Sequence, residues 1–246
     1  MTTEFYNKTH LNLDLAEERQ LVHRDYLAHC LRWTHVVRSA KMGLRVLDIG
    51  CGPEMPLAMM LYTNKFKPEC YVGIDMRDSE TPSKTNFPVY HVKGDATKYE
   101  TFQKAMSHLV DSPDIITCFE VLEHMSHDAG RRLLDNISLV ATTDTQIFIS
   151  TPVFNGSAAG NHTAPDGTPM EWTYEDLKED LEQRFIIQAH FGTFASQRDL
   201  KPVLTKCEQT VFEDLKRYYD SNLLAILLAP LHPAESRNVI WDLAAR

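Results

Sequence analysis

Short apolar runs alternate with amphipathic stretches through the middle of this chain. A short run bounded by turn residues predicts a buried strand, whereas apolar positions three and four residues apart predict a helix. The pattern predicts strands at 45–50, 70–75, 89–93, 114–119 and 145–150, with helices near 56–66, 99–109 and 127–141. Because strands and helices alternate, we expect a parallel sheet with right-handed crossovers, which is an α/β fold.

The segments around this core give further predictions. Helical spacing over residues 14–40 predicts one or two helices before the first strand. Two prolines within 81–88 predict a loop in place of much of the second crossover helix. The stretch 151–170 is rich in Gly, Pro, Ser, Thr and Asn and is long enough to predict a binding loop. The remaining predictions are a helix over 172–184, a strand at 185–193 and one or two helices within 197–229.

The loop after the first strand carries the most specific signal. Gly50 and Gly52 allow a sharp turn and a close approach of backbone to a ligand, and Pro56 opens a helix whose first N–H groups are unpaired. The dinucleotide fingerprint would need a third glycine at the position of Met55. Asp48 would repel a phosphate but suits a cationic ligand. A nicotinamide dehydrogenase is therefore disfavoured.

A second carboxylate, Asp75, ends the predicted strand 70–75 and lies 25 residues after Gly50, where an acid can accept both hydroxyls of a ribose. With these motifs, residues 44–191 resemble the class I S-adenosylmethionine-dependent methyltransferases. The resemblance implies S-adenosylmethionine as the cofactor, with its methionyl part at the glycine loop, its ribose at Asp75 and its adenine at Asp95. The cofactor-binding residues it implies are Asp48, Gly50, Cys51, Gly52, Asp75, Met76, Asp95, Ala96 and Glu120.

The resemblance also implies the domain organisation. We expect a Rossmann-like, doubly wound sheet that is mostly parallel, with an antiparallel last strand and helical additions at both ends. The single methyltransferase domain, 1–246, would comprise an N-terminal helical cap (1–43), a core (44–193), a helical insertion or lid (194–236) and the last strand (237–246). A plain C-terminal helical pair is the alternative for the insertion.

The charge and composition of the chain limit the classes of partner that we expect. Lys and Arg number 25 against 34 Asp and Glu, for a net charge of −9, which disfavours broad attachment to nucleic acid or an anionic membrane. No apolar run approaches the roughly 20 residues that span a bilayer, and the polar start lacks a signal-peptide core, so we expect a cytoplasmic protein. Five scattered cysteines without a CxxC pair predict reduced thiols, with Cys51 packed rather than nucleophilic. The oligomeric state stays open, a dimer included.

Ionisable residues concentrate after the fourth and fifth strands, where parallel-sheet folds bind ligands. Glu120, Glu123 and His124 have i, i+3, i+4 spacing and would share one face of a helix, while His162 lies in the later loop. Methyl transfer needs an acceptor O or N about 3 to 3.5 Å from the methyl carbon, and a base if that acceptor carries a proton. We predict Glu120, His124 and His162 as catalytic candidates, with Glu123 orienting an imidazole. Alternatively, Glu123 and His124 cap a helix or hold the loop.

The same side chains also form a candidate divalent-metal set. Glu120, Glu123, His124 and His162 mix N and O ligands suited to Mg²⁺ or Mn²⁺, and neighbouring substrate hydroxyls would complete the shell. The order EVLEHM, STPVF, a histidine and EWT is similar to the small-RNA terminal 2′-O-methyltransferases, which use a Glu, Glu, His, His set. This chain departs from that pattern because His162 lies nine residues before Glu171, with a Pro/Gly-containing insertion between them, and because the chain is acidic. EVLEH also occurs in metal-independent small-molecule methyltransferases.

The function predicted from the sequence is methyl transfer from S-adenosylmethionine to an O or N acceptor of a small molecule. One alternative is a metal-dependent RNA 2′-O-methyltransferase. Another is a non-catalytic S-adenosylmethionine-binding partner protein. The Asp/Asn-Pro-Pro-Tyr/Phe signature of DNA-amine methyltransferases is absent from the sequence.

Overall fold

A computed structural model describes residues 24–156, 158, 162–193, 233–236 and 238–246. The helices are α1 (Arg24–Ser39), α2 (Pro56–Thr63), α3 (Tyr99–Met106), α4 (His127–Val140) and α5 (Tyr174–Glu182), with short 3₁₀ turns at Leu122–His124 and Pro233–Glu235. The strands are β1 (Arg45–Ile49), β2 (Cys70–Asp75), β3 (Val89–Lys93), β4 (Ile115–Phe119), β5 (Gln146–Pro152), β6 (Phe185–Thr193) and β7 (Asn238–Ala245).

The described strands form one sheet in the order β3-β2-β1-β4-β5-β7-β6. Neighbours from β3 to β5 run parallel, whereas β7 pairs antiparallel with both β5 and β6. The strand order reverses between β1 and β4, and open α/β sheets bind their ligands at such a reversal, outside the carboxyl ends of the strands. The predicted fold class, a mostly parallel Rossmann-like sheet with an antiparallel last strand, is confirmed.

Apolar side chains cover both faces of the sheet, because neighbouring residues of a strand point to opposite faces. On one face, α3, α4 and α5 contribute Phe102, Leu133 and Leu177 to a buried cluster. On the other, α1 and α2 contribute Trp33 and Leu57. The sheet is therefore buried on both sides, which agrees with the near-continuous apolar runs of β1 and β2.

Several predicted segments can be compared directly. The connection 76–88 between β2 and β3 contains no helix, as its prolines predicted. Helix α1 occupies part of the predicted helical segment 14–40, whose first residues, 14–23, lie outside the described residues. The helices predicted within 197–229, and with them most of the proposed insertion, also lie outside the described residues. Among the described helices, none combines the length and apolarity needed to cross a membrane.

Candidate functional site

The glycine loop after β1 passes close to Val121, which follows the end of β4. Gly50 and Gly52 have φ angles of +74° and +71°, the left-handed region that favours glycine. A Cβ on Gly50 would lie 2.3 Å from Cγ2 of Val121, so a larger residue would force the loop away. Gly50 N–H donates to the Ile74 carbonyl at 2.8 Å, which holds the loop against the end of β2.

Asp48 is buried between the strands that flank β1. Thr117 Oγ1 donates to its Oδ1 at 2.6 Å, and the Tyr71 hydroxyl donates to its Oδ2. Burial raises the pKa of Asp48 to about 6, although both hydrogen bonds act in the opposite direction. The carboxyl group of Asp48 is thus anchored to β2 and β4 directly below the residues of the glycine loop.

Asp75 connects the end of β2 to the glycine loop. Gly52 N–H donates to its Oδ2 at 3.0 Å, while the Arg77 backbone N–H and Nε donate to Oδ1 at 2.9 and 3.1 Å. Burial acts to raise the pKa of Asp75, but the hydrogen bonds from Arg77 and Gly52 outweigh it and hold the pKa below its ordinary value. An ionised acceptor therefore lies beside bare loop backbone, with the exposed side chain of Met76 next to it.

Three more predicted cofactor residues, Asp95, Ala96 and Cys51, lie just after the carboxyl ends of β3 and β1. Asp95, just after β3, accepts from Thr97 N–H and Oγ1 at 2.9 and 2.7 Å, and the Ala96 carbonyl accepts from Asn136 Nδ2 at 3.0 Å. Cys51 is buried and its Sγ would lie 2.6 Å from a Cβ on Gly73, so its thiol fills the space that this glycine leaves. Burial raises the pKa of the Cys51 thiol, which opposes nucleophilic chemistry.

Glu120 belongs to a different polar network. Its φ angle is +57°, so the chain turns sharply at the end of β4, and a 3₁₀ turn at Leu122–His124 follows instead of an α-helix from 120 to 124. Ser150 Oγ donates to the carboxylate at 2.9 Å, Asn238 Nδ2 lies 2.9 Å from each oxygen, and Arg32 Nη2 forms an ion pair at 3.0 Å. These contacts join α1, β5 and β7, and Glu120 is not a member of the group that Glu123, His124 and His162 form within the described residues.

Three of the four predicted metal ligands do come together. Glu123, His124 and His162 each offer one ligand atom, and these atoms lie within 4.8 Å of one another. The 3₁₀ turn places Glu123 and His124 side by side, and the rings of His124 and His162 are nearly perpendicular with centroids 4.9 Å apart. Glu123 and His162 are buried whereas His124 is exposed, so the group opens to solvent on the His124 side.

Two buried atoms of this group suit a cation. Thr151 Oγ1 donates to Glu123 Oε2 at 3.2 Å, whereas Glu123 Oε1 and His162 Nε2 have no hydrogen-bond partner among the described residues. Burial raises the pKa of Glu123 well above its ordinary value, and the charge of Glu120 acts in the same direction. Partial burial and the neighbouring His162 lower the pKa of His124, which favours the neutral imidazole that binds metals. The residues present therefore fit a divalent metal.

Glu171 lies directly behind the group. Its Oε1 is 2.7 Å from His162 Nδ1, and both side chains are completely buried. The sequence pattern included Glu171 in the EWT motif but assigned it no role. Nothing in the pattern indicated the Arg32 and Asn238 contacts to Glu120, because an arginine on an amphipathic helix ordinarily faces solvent.

Comparison with known proteins gives one family and several similar folds. A family model described as a methyltransferase domain matches residues 15–206. A search of curated proteins found no match. A solved structure of a SAM-dependent methyltransferase from Archaeoglobus fulgidus is 20% identical, with a TM-score of 0.54, and the match covers 95% of this chain and 99% of that chain.

Two further structures have comparable similarity. A TehB-like SAM-dependent methyltransferase from Corynebacterium glutamicum is 15% identical with a TM-score of 0.52, covering 99% of this chain and 100% of that chain. The 1,6-didemethyltoxoflavin-N1-methyltransferase of Burkholderia thailandensis, solved with 1,6-didemethyltoxoflavin and S-adenosylhomocysteine, is also 15% identical with a TM-score of 0.52. That match covers 98% of this chain and 85% of that chain. At these identities the structures share the fold.

Proposed function

This chain belongs to the class I S-adenosylmethionine-dependent methyltransferases, and we therefore propose that it transfers a methyl group to an oxygen or nitrogen atom of a small molecule held beside Glu123, His124 and His162. The proposal rests on the convergence of these three side chains at the carboxyl ends of β4 and β5, where Glu123 and His162 are buried and His124 is exposed to solvent. That edge is also where the glycine loop and Asp75 lie, as a reaction between cofactor and acceptor requires.

The cofactor would be held by backbone on one side and carboxylates on the other. Asp75 is ionised, and the Arg77 side chain that contacts it is 67% exposed, so this side chain can give way to the two ribose hydroxyls. The Gly50 to Gly52 backbone leaves room for the methionyl part. Asp95 would meet the adenine. In the reaction, the acceptor atom attacks the methyl carbon as the bond to sulfur breaks, which releases S-adenosylhomocysteine; an acceptor that carries a proton must lose it.

We further propose that Glu123, His124 and His162 hold a divalent cation. Bound there, the cation would supply Lewis-acid polarisation of an acceptor oxygen and lower the pKa of its proton. Two imidazoles among three ligands favour Mn²⁺ over Mg²⁺, which prefers oxygen ligands. Thr151 orients the Glu123 carboxylate by binding Oε2, so that Oε1 is the oxygen left to a ligand.

The net charge of −9 supports a small acceptor rather than a polyanion. RNA binding is the competing outcome and can be tested directly. We expect no retention of the protein on immobilised single- or double-stranded RNA at 50 mM salt, where phosphate contacts are strong. Retention that weakens steeply with added salt would instead support the RNA 2′-O-methyltransferase alternative.

Calorimetric titration of S-adenosylhomocysteine into metal-stripped protein, repeated with Mn²⁺, tests the main proposal. We expect binding of S-adenosylhomocysteine in both runs, and binding of Mn²⁺ that the substitution His162→Ala removes. Cofactor binding without Mn²⁺ binding would overturn the metal part and leave His124 as the group that takes the acceptor proton. If S-adenosylhomocysteine does not bind in either run, the proposed cofactor site is wrong.

A further inference from the structure

We propose that Glu171 is a positioning residue that determines which nitrogen of His162 faces the metal, and that Glu171, acting through His162, is the second carboxylate of the centre in place of Glu120. The inference rests on the proposed metal function. It assigns a role to a residue for which the sequence pattern predicted none.

A hydrogen bond between Glu171 and His162 sets the tautomer of the imidazole. His162 Nδ1 lies 2.7 Å from Glu171 Oε1. When Glu171 is ionised, its oxygens can only accept; a neutral His162 in this contact then carries its proton on Nδ1 and presents the lone pair of Nε2 to a cation. Nε2 is buried and lacks a hydrogen-bond partner within the described part of the chain. Metal-binding histidines ordinarily donate their other N–H to a carboxylate or carbonyl, which sets the tautomer and the ring orientation.

Main-chain hydrogen bonds hold the backbone on both sides of Glu171. Before it, Met170 N–H donates to the His162 carbonyl at 2.8 Å, which ties Glu171 to the histidine that it contacts. After it, Trp172 pairs with the end of β5: its carbonyl accepts from Phe154 N–H at 2.7 Å, and it forms a β-bridge with Val153. The carboxylate is therefore placed by main-chain contacts and not by its own rotamer alone.

The competing carboxylate, that of Glu120, is held by other side chains. Glu120 accepts from Ser150 and Asn238 and pairs with Arg32, whose guanidinium neutralises its charge. For Glu120 to bind the cation, these contacts would have to break and leave a buried arginine without its carboxylate, which is costly. Glu171 already contacts a ligand, so no rearrangement is needed for it to act.

The tautomer of His162 gives a test that needs neither metal nor activity. Long-range ¹H–¹⁵N NMR of metal-free protein labelled on histidine should show that the neutral form of His162 carries its proton on Nδ1. In Glu171→Gln the side chain can present either an oxygen or an NH₂ group to Nδ1, so we expect a mixture of tautomers. Observation of His162 protonated on Nε2 in the unaltered protein would overturn the inference.

Metal affinity gives the second readout. We expect Glu171→Gln to weaken Mn²⁺ binding, measured from the EPR signal of free Mn²⁺, by about 10-fold to 100-fold, the usual effect of removing an outer carboxylate. Glu175→Gln is the matched control, because it removes the same charge from the exposed start of α5 and should leave both readouts unchanged. Thermal unfolding of each variant establishes that it is folded at the assay temperature.

The outcomes separate the two proposals. If the unaltered protein and Glu171→Gln bind Mn²⁺ equally, the positioning role is wrong while the metal site stands. If the unaltered protein does not bind Mn²⁺, the metal part of the proposed function fails and the inference fails with it. In that case the NMR measurement still shows which nitrogen of His162 is protonated beside Glu171, and so whether Nε2 is available to accept a proton.

Discussion

Gly50 is the loop residue at which a side chain should be least tolerated. Its left-handed φ of +74° and the 2.3 Å approach of Val121 Cγ2 combine strain with a steric clash. At Gly52, whose φ is +71°, a Cβ would meet only Pro56 Cδ at 3.9 Å. We expect Gly52→Ala to lower the free energy of unfolding by about 1–2 kcal/mol and Gly50→Ala to lower it by more. Urea unfolding of the two variants measures the difference, and equal losses would contradict this account.

Asp48 should make the stability of the protein depend on pH. Its pKa is raised from the ordinary 3.8 to about 6 in the folded protein, so the folded state holds the proton more tightly. The stability that Asp48 contributes is therefore greatest below about pH 4 and falls as the pH rises through 6, by up to about 3 kcal/mol. We expect the difference in unfolding free energy between the unaltered protein and Asp48→Asn to fall over this interval. A constant difference between pH 4 and 7 would contradict the raised pKa.

The sequence predicted the members of the candidate metal group better than their surroundings. Glu123 and His124 follow the fourth strand and His162 follows the fifth, and parallel sheets bind ligands at the carboxyl ends of their strands, so the three were expected at one edge. The placement of Glu120 was not predictable from its spacing, because that argument assumed a helix where the chain makes a left-handed turn. The contact with Arg32 depends on how α1 packs, and packing of that kind leaves no periodic signal.

At the scale of elements, α5 begins directly after the segment that carries Glu171. Thr173 is its N-cap, and Oγ1 accepts from Asp176 N–H at 3.1 Å. We expect Thr173→Ala to lower the free energy of unfolding by about 1 kcal/mol, since a helix N–H loses its acceptor. Thr173→Ser retains the hydroxyl and should recover most of the loss. Thermal or urea unfolding measures both variants, and an equal loss in Thr173→Ser would mean that the methyl group, not the cap, matters.

The strands were predicted more accurately than the ends of the helices. β4 and β5 lie within about two residues of the predicted bounds, because a buried strand ends where its apolar run ends. The helix predicted near 99–109 ends at Met106, although Leu109 is buried in the same core. An apolar residue beyond a helix can still pack on the sheet, so hydrophobic spacing overestimates the helix length.

At the scale of the whole molecule, Arg32 and Glu120 connect α1 to the centre of the sheet. The side chain of Arg32 is completely buried, and that of Glu120 is 9% exposed. Removing one partner of a buried ion pair leaves the other charge uncompensated, so we expect Arg32→Met to lower the free energy of unfolding by about 3–5 kcal/mol. Arg38→Met, at an exposed position of α1, is the matched control and should change stability little. A loss within about 1 kcal/mol for Arg32→Met would show that α1 is held by its apolar contacts alone.

The double variant Arg32→Met/Glu120→Gln separates the ion pair from the packing around it. Because it removes both charges, its loss of stability should be smaller than the sum of the two single losses. Asn238 and Ser150 would still contact residue 120, so the turn into Leu122–His124 should retain its position. Mn²⁺ affinity of the double variant then provides the decisive comparison. An affinity close to that of the unaltered protein is expected if Glu120 only anchors the turn, and loss of Mn²⁺ binding in a folded double variant would make Glu120 a ligand.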